Sequence, residues 1–282
     1  MCGIVKKKIL KRIYKKRDPW SKKYDFGHLL VIGGSKQYSG SPVFNALAAL
    51  RAGVDLVTIL APERAANIIA SFKPDLIAYP LNGNYITKKH FKELVEFTKK
   101  ADAVVIGGGL GRRKETLDVV AKYLKKIKVP CVIDADAIHA VAKKRNIINS
   151  KPFVITPHAY EFFIFSGIKV KNKVEERVKF VKKVAEEFNV TILLKGHVDV
   201  ISNGRKTMLN KTGSPELTVG GTGDTLAGIV GALLARGVDT FTAACAGAYI
   251  NGKAGEYATK RYGESVIASD LIDEIPAVLK RL

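Results

Sequence analysis

The feature that most constrains the fold is a series of short segments that are apolar throughout, with helical patterning between them. These segments cover residues 28–32, 54–62, 101–111, 130–138, 152–161 and 190–202. A strand without polar alternation is buried on both faces, and helical connections between such strands favour parallel pairing. The sequence therefore predicts an α/β protein in which helices cover both faces of a mostly parallel sheet.

Two further patterns refine this prediction. The dipeptide Asn203-Gly204 stands between two short alternating runs, which is a strong signal for a hairpin and adds an antiparallel edge to the sheet. After residue 224 the pattern is helical to the end of the chain. Because no Gly/Ser-rich or Pro-rich linker divides the sequence, we expect a basic lead-in helix or arm over residues 1–16 and one domain over residues 17–282.

Charge and composition limit the classes of partner. The formal net charge is +21, and the first 23 residues contain ten Lys or Arg residues and one Asp. Such a protein attracts anions, including nucleic acids and phosphorylated small molecules. The sequence has no helix-turn-helix pattern, zinc-finger spacing or RNA-binding aromatic motif, so we expect no specific nucleic-acid partner. A lysine-rich proteome, such as that of a thermophile, is the simpler explanation of the charge.

The chain carries no signal for a membrane or an oxidising compartment. Its longest apolar run, residues 226–235, is about half of the roughly 18 residues that a membrane span requires. The basic N-terminus lacks the apolar core of a signal peptide. The three scattered cysteines have no C-x-x-C spacing, which argues against a disulfide framework or a zinc site. We therefore expect a cytoplasmic protein with Cys131 and Cys245 as small core residues.

Candidate ligand-binding residues fall at the ends of the predicted strands. Ligands of open α/β sheets bind beyond the carboxyl ends of the strands. Glycine clusters stand there at residues 33–34, 107–109 and 220–223. The polar residues at the same ends are Asp134, Asp136, His158, Glu161, Lys195 and Asp224. This clustering predicts an active site, although the glycines fit neither a P-loop nor a Rossmann dinucleotide motif.

The stretch TVGGTGDTLAGIVGALLARG, residues 218–237, indicates the chemistry of that site. Glycines before a helix let backbone N–H groups converge on one point, and the helix dipole adds positive potential there, so a phosphate would be stabilised. We expect the same dipole to keep Asp224, in the first turn, ionised and able to accept a proton from an attacking hydroxyl. The alternative is that Asp224 only caps the helix.

Several ordered motifs resemble those of one family. GGTGDTLAGIVGALLARG resembles the anion-hole motif of ribokinase-like kinases. Together with YDFGHLLVIGGSKQYSG, VVIGGGLG, CVIDADAI, TPHAYEFFIFSG, LLKGHVDVI and ASDLIDEIP, it more closely resembles the ADP/ATP-dependent NAD(P)H-hydrate dehydratases, over residues 22 to 279. The resemblance implies a ribokinase-like three-layer α/β/α sandwich and a homo-oligomer such as a tetramer.

The resemblance also implies a reaction, the repair of the S epimer of hydrated NADH or NADPH by a hydro-lyase. Family members phosphorylate the ring hydroxyl with ADP or ATP, together with Mg²⁺, and then eliminate phosphate to restore the reduced ring. In this chain the base would be Asp224, and the anion hole would be Gly221, Thr222 and Gly223. The implied nucleotide-binding residues are Lys195, Gly196, His197, Val198, Asp199 and Gly223. The implied residues for the hydrated cofactor are Ser41, Gly109, His158 and Asp224.

The chain departs from the family pattern around the substrate pocket. Gly108 stands where the family has proline, and Ser41 stands where it has alanine. The family's His-Pro-Gly-Glu is His-Ala-Tyr-Glu here, which introduces Tyr160, and Ser214 replaces an asparagine before the anion hole. None of these changes removes the implied base or anion hole.

Several residues and the function itself have alternative interpretations. Asp134 could hold water or Mg²⁺ near phosphates, whereas Glu161 is a structural residue or an outer partner of a metal ligand. Asp136 is expected to cap a helix, and His158 either contacts a ligand or is a helix-start residue with a satisfied ring. The alternative functions are a small-molecule kinase of the same fold, acting on a vitamin precursor or sugar, and a basic nucleic-acid-binding protein with a vestigial nucleotide site.

Overall fold

The computed structural model describes residues 2–280, which form one ten-stranded sheet with helices on both faces. The strands are β1 (Gly3–Ile4), β2 (His28–Ile32), β3 (Leu56–Pro62), β4 (Ile77–Leu81), β5 (Ala103–Ile106), β6 (Cys131–Ile133), β7 (Phe153–Ile155), β8 (Thr191–Leu194), β9 (Asp199–Ser202) and β10 (Thr207–Asn210). The helices are α1 (Lys8–Ile13), α2 (Gly40–Arg51), α3 (Glu63–Ala70), α4 (Phe91–Thr98), α5 (Lys114–Lys126), α6 (Asp136–Ala142), α7 (Ala159–Ser166), α8 (Val174–Phe188), α9 (Thr222–Ala235), α10 (Thr240–Tyr262) and α11 (Ala268–Lys280).

The strand order is β1-β10-β9-β8-β7-β6-β5-β2-β3-β4. Neighbours from β4 to β8 pair in parallel, whereas β9 is antiparallel to both β8 and β10. The predictions of a mostly parallel sheet and of a hairpin at Asn203-Gly204 are therefore confirmed. Two details were wrong. Residues 190–202 were predicted as one strand, but they form two because the chain turns back after β8. The hairpin was predicted to form an antiparallel edge, but the edge strand on that side is β1, which pairs in parallel with β10.

Alternate side chains of the central strands enter two different cores. In β2, Leu29 and Val31 pack in the core that also contains residues of α2, α9, α10 and α11, whereas Leu30 and Ile32 pack in the core that contains residues of α4 to α8. Successive side chains of a strand point to opposite faces of the sheet. Burial on both faces explains why these strands are apolar throughout, and the two cores confirm the three-layer α/β/α architecture.

Helix α9 is the element that positions the site. Its residues from 225 to 235 are all buried. Two glycines permit this close packing, because a Cβ at Gly228 would overlap the carbonyl oxygen of Asn45 and a Cβ at Gly231 would overlap Val105 Cγ2. The helix is thereby fixed between α2 and the sheet, and its N-terminus lies beside the carboxyl ends of the strands.

The described part of the basic segment over residues 1–16 is packed on the domain. Strand β1 extends the sheet, and Leu10 of α1 is fully buried. The Tyr14 hydroxyl donates a hydrogen bond of 2.9 Å to the carbonyl of Ala52. The Lys and Arg side chains of this segment are exposed. The segment therefore combines a short helix, as expected, with an edge strand that the sequence did not predict.

The structure also bears on membrane spans and on the cysteines. Within residues 2–280, no helix is both long enough and apolar enough to cross a membrane. Cys131 and Cys245 are buried free cysteines, which confirms their prediction as small core residues.

Candidate active site

A glycine turn begins helix α9 and exposes its N-terminal N–H groups. Gly221 is the N-cap residue, with φ of +98°, a conformation that favours glycine. A Cβ at Gly221 would also lie 2.7 Å from the ring of Phe44 and 2.8 Å from Ala268 Cβ. The Thr222 hydroxyl donates to the carbonyls of Leu217 and Val219, which fixes the turn. Because a glycine N-cap has no side-chain acceptor, the N–H groups of the first turn keep the capacity to bind an anion.

Asp224 lies in this first turn and does not act as a cap. Its Oδ2 accepts a hydrogen bond of 3.0 Å from Ser41 Oγ, and its carbonyl oxygen accepts one of 2.7 Å from Asn45 Nδ2. Both partners belong to α2. The cap interpretation is therefore wrong, and the carboxylate is held by a neighbouring helix.

The expectation that the helix dipole keeps Asp224 ionised also needs correction. The pKa of Asp224 is raised to about 7, mainly by burial and also by the nearby carboxylates of Asp134 and Asp136, against the opposing effects of Ser41 and Lys195. A carboxyl group that titrates near neutral pH is a stronger base than an ordinary one. The site therefore holds a carboxylate suited to removing a proton.

The glycine loop after β5 packs directly against Asp224. A Cβ at Gly108 would lie 2.7 Å from Ser41 Cβ and 2.8 Å from Asp224 Oδ1. As these side chains stand, there is no room for the proline ring of the family pattern. Gly109 has φ of +68°, and a Cβ there would lie 2.8 Å from Tyr38 Cβ. Backbone rather than side chains therefore forms this wall of the site.

A mostly buried ammonium group lies behind the glycine turn. Lys195 Nζ is 3.1 Å from Asp134 Oδ1 and 3.8 Å from Glu161 Oε2, and it would be 3.3 Å from a Cβ at Gly223. Burial lowers the pKa of Lys195, but the two carboxylates outweigh it and the pKa is raised. Thr156 Oγ1 donates a second hydrogen bond of 2.7 Å to Asp134. The charged lysine adds positive potential where α9 begins.

His158 caps helix α7 while its ring remains half exposed. Nδ1 accepts hydrogen bonds from the N–H groups of Tyr160 and Glu161, and the Glu161 carboxylate accepts one of 2.8 Å from the N–H of His158. Since Nδ1 is an acceptor, the neutral ring carries its proton on Nε2, which lies 3.4 Å from Glu161 Oε1. His158 is therefore a helix-start residue whose ring nitrogen is hydrogen-bonded, and Glu161 has a structural role as its capping partner. The exposed part of the His158 ring can still contact a ligand.

Asp136 has a different role from the predicted helix cap. The N-cap residue of α6 is Ala135, which has a φ of +45°. The Asp136 carboxylate accepts hydrogen bonds of 2.9 Å from the N–H of Gly111 and 2.8 Å from Arg112 Nε. Asp136 therefore ties the end of the glycine loop to the start of α6. Its carboxylate also contributes negative charge near Asp224.

The turn between β8 and β9 brings together the residues assigned to nucleotide binding. Asp199 accepts hydrogen bonds of 3.0 Å from the N–H of Gly196 and 3.0 Å from Asn210 Nδ2, and burial raises its pKa to about 6. Arg177 Nη2 donates a hydrogen bond of 2.8 Å to the carbonyl of Lys195. Gly196 and His197 are exposed at the tip of the turn. Backbone groups at this tip could therefore contact a ligand while Asp199 and Arg177 fix their positions.

Sequence reasoning missed two groups that shape this site. Arg177 resembles the many surface cations of a lysine-rich helix, and nothing in the sequence marks it. Asn45 is a polar residue in the otherwise apolar stretch PVFNALAAL, and this was an available signal. It is 2% exposed and contacts Asp224 across 179 residues of chain.

The described residues do not form a protein-only metal site. Within residues 2–280, no group of three or more His, Cys, Asp or Glu side chains is arranged to hold a metal ion. Asp134 is bound by Lys195 and Thr156, and Glu161 is bound by the backbone of His158. Neither carboxylate is therefore preorganised as a metal ligand.

The fold and the site together define a ribokinase-like protein. A three-layer α/β/α sandwich presents a glycine turn, a buried helix N-terminus and an adjacent carboxylate at the carboxyl edge of its sheet. The family model for NAD(P)H-hydrate dehydratase matches residues 29–277. This chain belongs to the NAD(P)H-hydrate dehydratase family, which confirms the resemblance found in its motifs.

Individual relatives agree with this assignment. The chain is 45% identical over 263 residues to a bifunctional NAD(P)H-hydrate repair enzyme of Pyrobaculum aerophilum, covering 93% of this chain and 52% of that protein. It is 39% identical over 262 residues to an ADP-dependent (S)-NAD(P)H-hydrate dehydratase of Cenarchaeum symbiosum, covering 92% and 91% of the two chains. The chain thus spans about half the length of the bifunctional relatives it matches.

A solved structure of the same family has the same fold. The crystal structure of an ADP/ATP-dependent NAD(P)H-hydrate dehydratase from Bacillus subtilis, co-crystallised with ATP and Mg²⁺, superimposes with a TM-score of 0.84. The two chains are 25% identical, and the match covers 99% of this chain and 98% of the other. The predicted ribokinase-like architecture is therefore confirmed.

Proposed function

We propose that this protein is a nucleotide-dependent dehydratase that restores NADH or NADPH from the S epimers of their hydrates. The observation that carries the proposal is the position of Asp224, a carboxylate with a pKa of about 7 at the N-terminus of α9, directly after the glycine turn. A base and an anion site are thus adjacent. Phosphorylation of a hydroxyl is helped by a base near the attacking oxygen and by positive potential near the transferred phosphate.

In the proposed reaction, Asp224 takes the proton of the ring hydroxyl while the hydroxyl oxygen bonds to the terminal phosphorus of the nucleotide. AMP leaves if the donor is ADP, and ADP leaves if the donor is ATP. The N–H groups of Gly221, Thr222 and Gly223 stabilise the charge on the transferred group. The ring C–O bond then breaks, phosphate departs with the electron pair, and loss of a proton from the adjacent ring carbon restores the double bond.

The two substrates are proposed to occupy opposite sides of the glycine turn. The nucleotide would lie against the turn between β8 and β9, formed by residues 195–199, and against Gly223. The hydrated nicotinamide would lie against Ser41, Gly109 and His158, beside Asp224. Lys195, directly behind Gly223, would supply positive charge to the phosphates. The names of the relatives support either ADP or ATP as the donor.

Mg²⁺ is proposed to accompany the nucleotide rather than to reside in the protein. Magnesium is commonly bound through substrate phosphates and water, and it neutralises phosphate charge during transfer. Asp134 and Glu161 are already engaged by protein groups, so we assign no residue as its ligand. We also propose that the protein is a homo-oligomer such as a tetramer, which light scattering after size-exclusion chromatography would test.

Product analysis tests this function. The purified protein is incubated with the S hydrate of NADH, Mg²⁺ and either ADP or ATP, and products are followed by phosphorus NMR and by absorbance of the reduced nicotinamide. We expect inorganic phosphate and NADH in equal amounts, formed only when nucleotide is present. A stable phosphorylated product would instead support the small-molecule kinase. Absence of any product from folded protein would reject the dehydratase, and phosphorylation of vitamin precursors and sugars would then test the kinase.

A further inference from the structure

The carboxylate of Asp224 has two oxygens in different surroundings. Oδ2 accepts the hydrogen bond of 3.0 Å from Ser41 Oγ. Oδ1 lies on the side of Gly108, where a Cβ would approach it to 2.8 Å. Within residues 2–280, we find no hydrogen-bond donor to Oδ1. One oxygen is therefore held by a protein hydroxyl, and the other keeps its capacity to accept a hydrogen bond.

The helix that carries Ser41 is held against α9 by a second contact. Ser41 lies in the first turn of α2, and Asn45 lies one turn later on the same face of the helix. Asn45 donates a hydrogen bond to the carbonyl of Asp224, so α2 is hydrogen-bonded to both the side chain and the backbone of this residue. The two helices are also in backbone contact where Gly228 meets Asn45. The backbone that carries Ser41 is therefore fixed relative to Asp224, within reach of its carboxylate.

Ser41 leaves no room for a side chain at position 108. The Cβ of any larger residue at position 108 would lie 2.7 Å from Ser41 Cβ, closer than such atoms approach one another. A side chain there would displace either Ser41 or the carboxylate. The absence of a side chain at position 108 is therefore what permits the contact between Ser41 and Asp224.

We propose that Ser41 is a positioning residue, whose hydroxyl clamps Oδ2 of Asp224 so that Oδ1 faces the substrate hydroxyl as an ionised acceptor. The inference rests on the proposed function for the identity of that hydroxyl. It deepens that function by assigning to Ser41 an action on the base itself, in addition to its place in the substrate pocket.

The charges around Asp224 make this contact consequential. Burial and the carboxylates of Asp134 and Asp136 raise the pKa of Asp224, whereas Ser41 and Lys195 lower it. Loss of the Ser41 hydroxyl removes one of the two groups that favour the ionised form. The pKa of Asp224 would then rise further, and a smaller fraction of the protein would carry a competent base at neutral pH.

The test compares Ser41→Ala with Ser39→Ala. Ser39 is the N-cap residue of α2 and makes no side-chain capping hydrogen bond, so it provides a matched control two residues away. The rate of NADH recovery is measured from about pH 5 to pH 9. For Ser41→Ala we expect the acidic limb of kcat/KM to move up by about 0.5 to 1 pH unit, a loss of about 3- to 10-fold at pH 6. Ser39→Ala should retain the wild-type profile.

A second measurement separates this inference from the proposed function. The side-chain carboxyl of Asp224 is titrated by carbon NMR in wild type and in Ser41→Ala, with Asp224→Asn used to assign the signal. We expect the midpoint to rise by about 0.5 to 1 pH unit in Ser41→Ala, whether or not the substrate is correctly identified. An unchanged midpoint, or a shifted midpoint with an unchanged pH–rate profile, would overturn the inference. If the wild type is inactive but the titration midpoint still rises in Ser41→Ala, the dehydratase function is rejected. The positioning role of Ser41 is then retained.

Discussion

Asp224 occupies a position that suits a base and destabilises the folded protein. Its carboxyl group has a pKa of about 7, raised from 3.8 mainly by burial. The folded state therefore binds this proton more tightly than the unfolded chain does. Between about pH 4 and pH 7, each increase in pH lowers the free energy of unfolding through this group, and above pH 7 the penalty is complete.

Asp224→Asn should therefore stabilise the protein while abolishing its activity. Asparagine keeps the acceptor for Ser41 but carries no charge to bury. We expect the free energy of unfolding at pH 8 to rise by about 1 to 3 kcal/mol, with little difference from wild type near pH 4. Urea unfolding at the two pH values measures this. Equal or lower stability at pH 8 would show that the ionised carboxylate is not destabilising.

A side chain at position 108 should disturb the base without disturbing the fold. The Cβ of Gly108→Ala would lie 2.8 Å from Asp224 Oδ1 and would push the carboxylate from its place. We expect kcat to fall by about 10- to 100-fold, since small misplacements of a catalytic group are costly. Gly40→Ala is the control, because its new Cβ would approach only Phe44, at 4.0 Å. Wild-type kcat in Gly108→Ala would contradict the proposed geometry.

At the scale of single residues, chemistry could be predicted from the sequence but contacts could not. The pattern of glycines around Asp224 was sufficient to suggest a base beside an anion site. The hydrogen bond from Ser41 joins residues 183 positions apart, so no local pattern could reveal it. The pKa of Asp224 likewise depends on carboxylates brought near by the fold. Only the structure shows why this aspartate does not behave as a helix cap.

At the scale of elements, the site depends on the contact between α2 and α9. Gly228 allows the backbones of these helices to touch, because a Cβ at this position would overlap the carbonyl oxygen of Asn45. The same face of α2 carries Ser41 and Asn45, which hold Asp224. Packing and catalysis are therefore linked through one helix pair.

Gly228→Ala should weaken both properties together. The added methyl group forces α2 away from α9, because a backbone atom cannot yield as a flexible side chain can. We expect a loss of about 1 to 3 kcal/mol in the free energy of unfolding, with reduced kcat in the remaining folded protein. Chemical unfolding and initial rates on the same sample measure the two effects. A stable variant with wild-type kcat would show that the helix contact does not position the base.

Most elements were predictable because their patterns are long and buried. Strands β2 and β5 are continuous apolar runs, and α9 follows directly from its glycine turn. The segment from residue 190 to residue 202 has the pattern of one strand, since apolar residues occur on both sides of its turn. Its division into β8 and β9 depends on the turn at residues 195–198, which has no proline and only one glycine.

At the scale of the whole molecule, the basic N-terminal segment packs on one edge of the sheet. It extends the sheet through β1 and buries Leu10 of α1, whereas Asp224 lies at the carboxyl ends of the strands. Two-residue strands such as β1 carry no periodicity, so the sequence could suggest only a helix or an arm here. The overall charge of +21 is compatible with nucleic-acid binding, although family membership explains the site without it.

Deletion of residues 2–16 should reduce stability more than activity. It would uncover the edge of β10 and the core around Leu10, so we expect a lower melting temperature and a tendency to aggregate. The kcat of the remaining folded protein should stay within about 2-fold of wild type. Replacement of Lys6, Lys8 and Lys11 by glutamine is the control, since it removes charge and keeps the packing. Equal melting temperatures for the deletion and the control would contradict a structural role for this segment.

The central claim is that Asp224 is the base of a nucleotide-dependent repair reaction. The most direct measurement follows NADH recovery from its S hydrate with ADP or ATP and Mg²⁺, comparing wild type, Asp224→Asn and Asp273→Asn, whose substitution lies on the exposed face of α11. We predict nucleotide-dependent recovery by wild type and Asp273→Asn, and a loss of about 100- to 10,000-fold in Asp224→Asn. No recovery by folded wild type, or equal rates for the two variants, would contradict the account.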